Sequence, residues 1–404
     1  MHVVVISVDA LITEDLAYAG TLPSFSRLLS RCDMVRAVMS AYPSYTYPCH
    51  ATIMTGCWPD RHGVIHNESY PDGKWNWFAS SLKTLPMTSA AKVAGLSTCA
   101  VAWPVMGGSA VDYLIAEIWA PKAEDDPGPC FDRADSPLAR QYFEESRHLL
   151  DWMRTPGFDL FATEAFCSIF RDHAPNLSFL HLSYLDHQRH KRGSATEKNL
   201  DAIRFIDDRL KDVLSSVEKA GVWDDTVFVL LGDHGHRDTD KVFQINAVLS
   251  SMGYGGRITA QSASFSALVY LDGISDSEAF PVLQTIKERY PEYVERVQTR
   301  EETEKHHHLS GPFSFVLEAR SGVVFGEKRE GDVLTHPVPG DWRSSLSAHG
   351  FAPEKGPFPP FVLSGKGIDG GHVVPCCAMV DEAPTIMSLF GVPFPCDGHP
   401  IHFK

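Results

Sequence analysis

The sequence predicts an α/β protein built on a buried, mostly parallel sheet, and three features lead there. The chain opens on His2 to Val8, a short β-branched run that ends at Asp9. Two later apolar runs, LSFLHLSYLDHQRH and DDTVFVLLGDHGH, likewise break off into carboxylates and imidazoles. Between these runs lie segments with helical spacing, so strand and helix alternate. Near-continuous apolar strands are buried on both faces, as parallel strands are. In open α/β sheets the carboxyl ends of the strands are where ligands bind.

Taken in order, TLPSFSRLLSR after the first strand has helical spacing with a proline near its start. Next, ATIMTG reads as a short helix stopped at Gly56, with Thr46 at its N-cap and Pro48 in its first turn. Such a position suits an ordinary cap, and equally a hydroxyl nucleophile, because free N–H groups and the helix dipole favour a phosphoryl group there. An aromatic loop follows, with Tyr70, Trp75, Trp77 and Phe78. It reads either as a folded-down surface loop or as a wall on which a nucleobase stacks. TLPMTSAAKVAG and LSTCAVAW make another helix and strand, and 136 to 173 reads as two helices. Asp186 and His190 stand four apart at the end of a buried run, a spacing that lets both point one way. A long helix over about 195–220 then leads to Asp233 and His234, and His349 lies in a later S-A-H-G.

From Tyr254 to Gly340 the alternation changes character. SASFSALVYL and FSFVLEARSGVVFGE read as strands, the latter as a hairpin turning at Ser321 and Gly322, and DSEAFPVLQTIKERY as a helix. The expected organisation is therefore a catalytic core over 1–253 and 341–404 with an inserted α+β cap over 254–340. The triplet His306, His307 and His308 falls in that cap and is expected on a surface loop. The closing DEAPTIMSLFGVPFPCDGHPI returns to helix and loop, and no internal repeat is visible.

Composition limits the function classes. With 36 basic and 51 acidic residues the formal charge is −15, which argues against gripping a nucleic-acid polymer through its phosphates. No stretch reaches the roughly 18 apolar residues of a membrane span, and MHVVVISVDA lacks a basic n-region, so the expectation is a cytoplasmic, non-membrane protein. Nine scattered cysteines fit reduced thiols better than a disulfide framework. The sequence leaves the oligomeric state open.

The run Ala41–Asn67 carries a family resemblance. Thr46, Pro48 and His50 fit T-x-P-x-H, Thr55, Gly56, Pro59, His62 and Gly63 fit T-G-x-x-P-x-x-H-G, and Asn67 follows. With the D-H-G at Asp233 and the A-H-G at Ala348, this resembles the alkaline phosphatase superfamily, and within it the nucleotide pyrophosphatase/phosphodiesterase branch. The resemblance covers 1–67, 177–236 and 341–404. It implies a three-layer αβα sandwich with a mostly parallel central sheet, and a closing C-terminal helix packed on it. It implies Thr46 as nucleophile, Asn67 as donor to a phosphoryl oxygen, and His50 and His62 in structural parts. It also implies two divalent metal ions, one at Asp186, His190 and His349 and one at Asp9, Thr46, Asp233 and His234. Mixed nitrogen and oxygen donors suit zinc first, with manganese or iron as alternatives.

Cys57 to Arg61 also spell C-x-P-x-R, the pattern of formylglycine sulfatases in the same superfamily. There that motif occupies the place of Thr46, whereas Cys57 falls later, so the register is wrong. The expected activity is two-metal hydrolysis of a small phosphodiester or nucleotide through a covalent phosphothreonine. Phosphonate hydrolase, phosphomonoesterase and, more distantly, phosphate-transferring mutase are the rivals, and a catalytically silent metal-binding protein is the alternative outside enzymes. No Arg or Lys stands in the nucleophile run's active face, although Arg189, Arg192 and Lys355 flank ligand segments. Monoesters carry more negative charge, so this absence favours diesters.

Overall fold

The computed structural model describes residues 1–118, 128–150 and 156–403. The core strands are β1 His2–Val8, β2 Cys32–Met39, β3 Thr98–Val101, β4 Tyr113–Ile115, β5 Leu177–Leu182 and β6 Thr226–Leu231; β1, β3, β5 and β6 stand where the sequence predicts strands, and β2 and β4 are additions to it. The chain adds β7 Arg237–Gln244, β8 Ile258–Ala263, β9 Ser266–Leu271, β10 Val294–Thr299, β11 Phe315–Ala319 and β12 Gly322–Gly326. Last come β13 Leu334–Thr335, β14 Ser347–Ala348, β15 Phe361–Gly365 and β16 Val373–Ala378.

An eight-stranded sheet, β16-β2-β15-β6-β1-β5-β3-β4, forms the centre. Its pairings are parallel except that β15 runs antiparallel to β2 and β6. The two-residue period of a strand divides each buried run between the faces. From β1, Val4, Ile6 and Val8 enter one apolar cluster while Val3 and Val5 enter another. Phe228 and Leu230 of β6 follow the first, Val227, Val229 and Leu231 the second. The helices Pro23–Leu29, Gly157–His173 and Leu200–Lys219 cover the first face. Thr46–Thr55, Met87–Val93 and Glu382–Ser388 cover the second. This is the expected αβα sandwich, including the packed C-terminal helix. Each fully buried Val, Leu or Phe contributes roughly 1.5–3 kcal/mol, so two complete faces hold the strand ends firmly.

Because β1, β2, β5 and β6 run the same way, the residues following them converge on one edge. Asp9 follows β1, the helix Tyr184–Arg192 follows β5, and Asp233 and His234 follow β6. Four-stranded β10-β11-β9-β8 is a separate antiparallel sheet covered by the helix Asp276–Arg289, which Ser275 and Glu278 cap reciprocally. A third sheet joins β12, β7 and β13, with β14 also paired to β7. Phe243, Ile245 and Val248 pack with the second sheet's apolar residues in one cluster.

The expected hairpin at Ser321 and Gly322 does not form. The chain turns tightly there, with Val323 N–H donating to Arg320 C=O at 3.0 Å. However, β11 pairs with β9 and β10, while β12 pairs in parallel with β7. Burial of Val323 and Phe325 against Phe243 decides the partner, which turn chemistry alone cannot. His306 and His307 finish the helix Arg300–His307 rather than lying in a loop, and the His308 ring stacks on Trp58 at 5.2 Å. Of the two helices expected over 136–173, the second is Gly157–His173 and the first is Arg140–Ser146 with a 3-10 turn at each end; its remainder over 151–155 lies outside the described residues. Among the described residues no helix is long and apolar enough to cross a membrane.

Candidate active site

Thr46 opens a ten-residue helix, Thr46–Thr55, whose every residue is buried. Tyr45 before it is extended (φ −131°), and Gly56 after it takes the left-handed conformation (φ 61°) that glycine adopts without strain. Thr46 is thus the first helical residue and not the cap, and the Tyr45 side chain before it makes no capping hydrogen bond. Its hydroxyl faces away from its own backbone, with Oγ1 3.2 Å from His234 Nε2. His50, one turn on, ties the helix to the sheet. Its Nδ1 donates to the Thr46 carbonyl at 2.9 Å, and its Nε2 accepts from Ser7 Oγ at 2.9 Å. Cys57 follows the opposite end of the helix, so the structure puts it far from Thr46.

Around His234 Nε2 stand two carboxylates. Asp233 Oδ2 is 3.2 Å away and Asp9 Oδ1 3.4 Å. Asp233 Oδ1 accepts from the N–H groups of Ala10 and His234, at 3.0 and 2.9 Å. Asp233 Oδ2 and Asp9 Oδ1 are buried with no hydrogen-bond donor. Burial, reinforced by their mutual repulsion and by Asp186, holds Asp9 well above the usual carboxylate range. Burial likewise lifts Asp233 to about 7. Two buried carboxylate oxygens without donors, facing an imidazole nitrogen and a hydroxyl, fit a divalent cation, which supplies the missing positive charge.

A second cluster adjoins the first. Asp186 and His190 share one face of the helix Tyr184–Arg192, with Asp186 Oδ2 3.5 Å from His190 Nε2. His349 follows β14 and brings Nε2 to 3.8 Å from Asp186 Oδ1, its ring stacked on His234 at 3.9 Å between centroids. Burial would raise Asp186, but His190, His236 and His349 outweigh it and hold the carboxyl well below its ordinary range. The ligand atoms of Asp186, His190, His236 and His349 all lie within 4.8 Å of one another, as do those of Asp9, Asp186 and His234. All residues expected to bind metal therefore converge at the sheet edge.

His236 escaped the sequence reading, although the doubled histidine of D-H-G-H was a signal for it. Its Nε2 lies 2.6 Å from Asp186 Oδ1. His181 and Glu117 escaped as well. His181, on β5, sets Nε2 3.3 Å from Asp9 Oδ2 and Nδ1 3.1 Å from Glu117 Oε2. Burial opposes its charge, yet these two carboxylates push the imidazole well above its ordinary value. Strand alternation made His181 resemble any buried position, and only the fold shows that its face meets Asp9.

Asp9, Thr46, Glu117, His181, Asp186, His190 and His349 line a cleft of about 150 Å³, together with Asn67, Trp75 and Trp342. Asn67 Oδ1 accepts from Tyr47 N–H at 3.0 Å, which leaves the amide NH₂ as the donor at the cleft. Trp75 and Trp342 stand 5.4 Å apart, and Trp75 also meets Tyr47. Of the aromatic loop, then, Trp75 reaches the site, while Tyr70 stacks on Tyr270 at 3.7 Å. No arginine or lysine lines the cleft among the described residues. The flanking cations are committed elsewhere: Arg189 to Asp15 at 2.6 Å, Arg192 to Asp201 at 2.5 Å, and Lys355 to Glu295 and Glu318, both at 2.9 Å. His62 is buried against Thr52 Oγ1 and the Val64 N–H, away from the cleft.

The family model for type I phosphodiesterase / nucleotide pyrophosphatase matches residues 3–352. Human ectonucleotide pyrophosphatase/phosphodiesterase family member 1 is 24% identical over 231 residues, which is 54% of this chain and 21% of that protein. An uncharacterized pyrophosphatase/phosphodiesterase of Schizosaccharomyces pombe is 23% identical over 265 residues, 61% of this chain and 48% of that protein. The chain thus spans less than half the length of these relatives. Among solved structures, human ectonucleotide pyrophosphatase / phosphodiesterase 5 superposes with a TM-score of 0.72 at 18% identity, covering 98% of this chain and 97% of that one. An inactive variant of the murine protein in complex with AMP gives 0.70 at 17% identity, with the same coverage.

Proposed function

Because the chain belongs to the type I phosphodiesterase / nucleotide pyrophosphatase family, we propose that it hydrolyses a small phosphodiester or nucleotide through Thr46 and two divalent metal ions, zinc first, with manganese or iron as alternatives. One observation carries the reading: Thr46 Oγ1 lies at a helix N-terminus, 3.2 Å from the imidazole nitrogen toward which Asp9 and Asp233 turn donor-less oxygens. On this reading Asp9, Thr46, Asp233 and His234 hold one ion and Asp186, His190 and His349 the other. Divalent ions there supply Lewis acidity, making a hydroxyl more acidic and neutralising charge on phosphoryl oxygens.

The chain's own residues do the rest. The Thr46 hydroxyl gives up its proton to water and Oγ1 attacks phosphorus; the P–O bond to the leaving group breaks, its electron pair departs with that oxygen, and that oxygen takes a proton back from water where its own basicity requires one. Asn67, fixed by Tyr47, donates to an equatorial phosphoryl oxygen, and the N–H groups of the first helical turn favour the same charge. Water then attacks the phosphothreonine, the P–Oγ1 bond breaks and Thr46 is reprotonated. A cleft without Arg or Lys has little to balance the second charge of a monoester, which supports the diester. The AMP bound by the murine relative supports a nucleotide portion in the substrate, and Trp75 with Trp342 offers rings for a base. The cytoplasmic location belongs to the same proposal, tested by fractionating the cells that make the protein.

The test is turnover of bis-p-nitrophenyl phosphate, p-nitrophenyl phosphate, a nucleotide p-nitrophenyl ester and phosphonoacetate by metal-reconstituted wild type and Thr46→Ala. Preference for the diesters, abolished by the substitution, is expected. Preference for the monoester or phosphonoacetate overturns the substrate class, and full activity in Thr46→Ala overturns the nucleophile.

A further inference from the structure

We propose that the ion pair between Arg343 and Glu68 positions Trp342 against Trp75 to receive the base of a nucleotide substrate; the inference rests on the nucleotide-diester reading above. Each partner of the pair sits beside one of the two rings. Glu68 follows Asn67 and forms an antiparallel bridge with Trp75, and Asn76 N–H donates to the Asn67 carbonyl at 2.9 Å. Arg343 follows Trp342, and its guanidinium lies over that indole, 4.4 Å from the ring centroid. Its Nη2 donates to Glu68 Oε2 at 2.6 Å, and Nη1 stands 3.8 Å from Glu327 Oε2. An ion pair exposed on both sides holds little. Here the Glu68 side chain is only 11% exposed, and the planar guanidinium has a ring to lie on as well as a carboxylate to bind.

Trp342 belongs to a short closed loop. Val338 N–H donates to the Ser344 carbonyl at 2.8 Å. Asp341 ties the turn together, its Oδ1 accepting from Arg343 N–H at 3.0 Å and its Oδ2 from Ser344 Oγ at 2.8 Å. The loop is fastened to the helix Tyr184–Arg192, because the His190 carbonyl accepts from Leu346 N–H at 3.2 Å and Gly340 N–H at 3.5 Å. Its other attachment, through Arg343 and Glu68, is to the segment that carries Asn67. The loop therefore bridges the cleft, held by backbone hydrogen bonds on one side and by charge on the other. The inserted region steadies the charged end: Ser264 Oγ donates to the Arg343 carbonyl at 3.2 Å, and Glu327 Oε1 accepts from Ser262 N–H at 2.8 Å.

Trp75 and Trp342 stand 5.4 Å apart with their planes 48° from parallel. A base stacks on a ring whose position is already fixed, whereas a ring free to turn has to be ordered by the substrate, at the expense of affinity. Arg343 is on this account a positioning residue that acts through Trp342. Its loss weakens the binding of substrates that carry a base and leaves the chemistry at Thr46 unchanged.

The test is steady-state kinetics of the full, metal-loaded chain on a nucleotide p-nitrophenyl ester and on methyl p-nitrophenyl phosphate. Arg343→Met should raise KM for the nucleotide ester about 5-fold at constant kcat, and KM for the methyl ester less than about 2-fold. Arg343→Lys keeps the charge without the plane and should fall between wild type and Arg343→Met. Glu68→Gln breaks the pair from its other end, with a rise of about 3-fold expected, and serves if Arg343→Met fails to fold. In a Trp342→Ala background Arg343→Met should add less than about 2-fold, because its effect passes through the indole. An unchanged KM for the nucleotide ester, equal losses on both esters, or a full effect in the Trp342→Ala background overturns the positioning role and spares the diester reading. No turnover of either ester by the wild type overturns that reading instead. AMP affinity, from quenching of tryptophan fluorescence, then decides the positioning role: a Kd about 5-fold higher in Arg343→Met supports it, and an unchanged Kd, or no binding by the wild type, overturns it.

Discussion

The two halves of the site solve the problem of buried charge in opposite ways. Around Thr46 the donors are mostly oxygens, and the fold leaves two of them, on Asp9 and Asp233, buried without a donor. Around Asp186 one carboxylate is surrounded by imidazoles, which hold it in its charged form. The first half is short of hydrogen-bond donors and positive charge, whereas the second gathers imidazole nitrogens around a single carboxylate. Two metal positions joined through one carboxylate therefore need not act alike, and the half with unsatisfied oxygens is the one that holds the hydroxyl.

Asp186 belongs to both groupings, so it is where the contrast breaks most completely. Asp186→Asn should empty both positions, lowering bound zinc below one ion per chain by elemental analysis and turnover by more than about 10⁴-fold. Retention of two ions would mean that the halves are independent. Thr46→Ala separates chemistry from metal binding. It should lower kcat for bis-p-nitrophenyl phosphate by at least about 10³-fold while both ions remain, because the other donors stay in place.

Trp75 probes the wall of the cleft and neither cluster. Trp75→Ala should raise KM for a nucleotide p-nitrophenyl ester about 10-fold, in keeping with roughly 1–3 kcal/mol for one base stacked on an aromatic ring. KM for methyl p-nitrophenyl phosphate should change less than about 2-fold. Equal losses on both substrates would assign Trp75 to packing Tyr47, which its ring also touches.

How much of this was legible in the sequence follows from what each residue depends on. Asp9 and Asp233 terminate apolar runs, and a carboxylate at the end of a buried parallel strand declares itself locally. Asp186 and His190 share a helix turn, which spacing also shows. Thr46 was found with its role one position displaced: it is the first helical residue, because the hydroxyl faces His234 rather than its own backbone. His181 and Glu117 were not legible, since their meaning arises only where β5 meets the chain after β4. The misread hairpin has the same origin, for β12 finds its partner in β7, some eighty residues earlier. Local periodicity predicts elements, and long-range pairing decides which side chains meet.

The smallest effect expected is also the control for the contrast between the two halves. His62 is as buried as the histidines of the clusters, but Val64 N–H and Thr52 Oγ1 occupy both its nitrogens. Burial pulls its pKa down to about 3. Since the unfolded value is near 6.5, the folded state holds this ring neutral. Its contribution is complete above pH 6.5 and is lost as pH falls toward 3, at about 1.4 kcal/mol per pH unit. His62→Asn should cost about 1–3 kcal/mol at pH 7 through the lost hydrogen bonds. It should also flatten the decline of urea-unfolding free energy between pH 6 and pH 4 by one proton. Zinc content should stay at two per chain, because a histidine whose nitrogens the protein already satisfies has no lone pair to offer a metal. A loss of zinc in this variant would show that the packing of the Thr46–Thr55 helix, which His62 braces through Thr52, reaches the metal-binding residues.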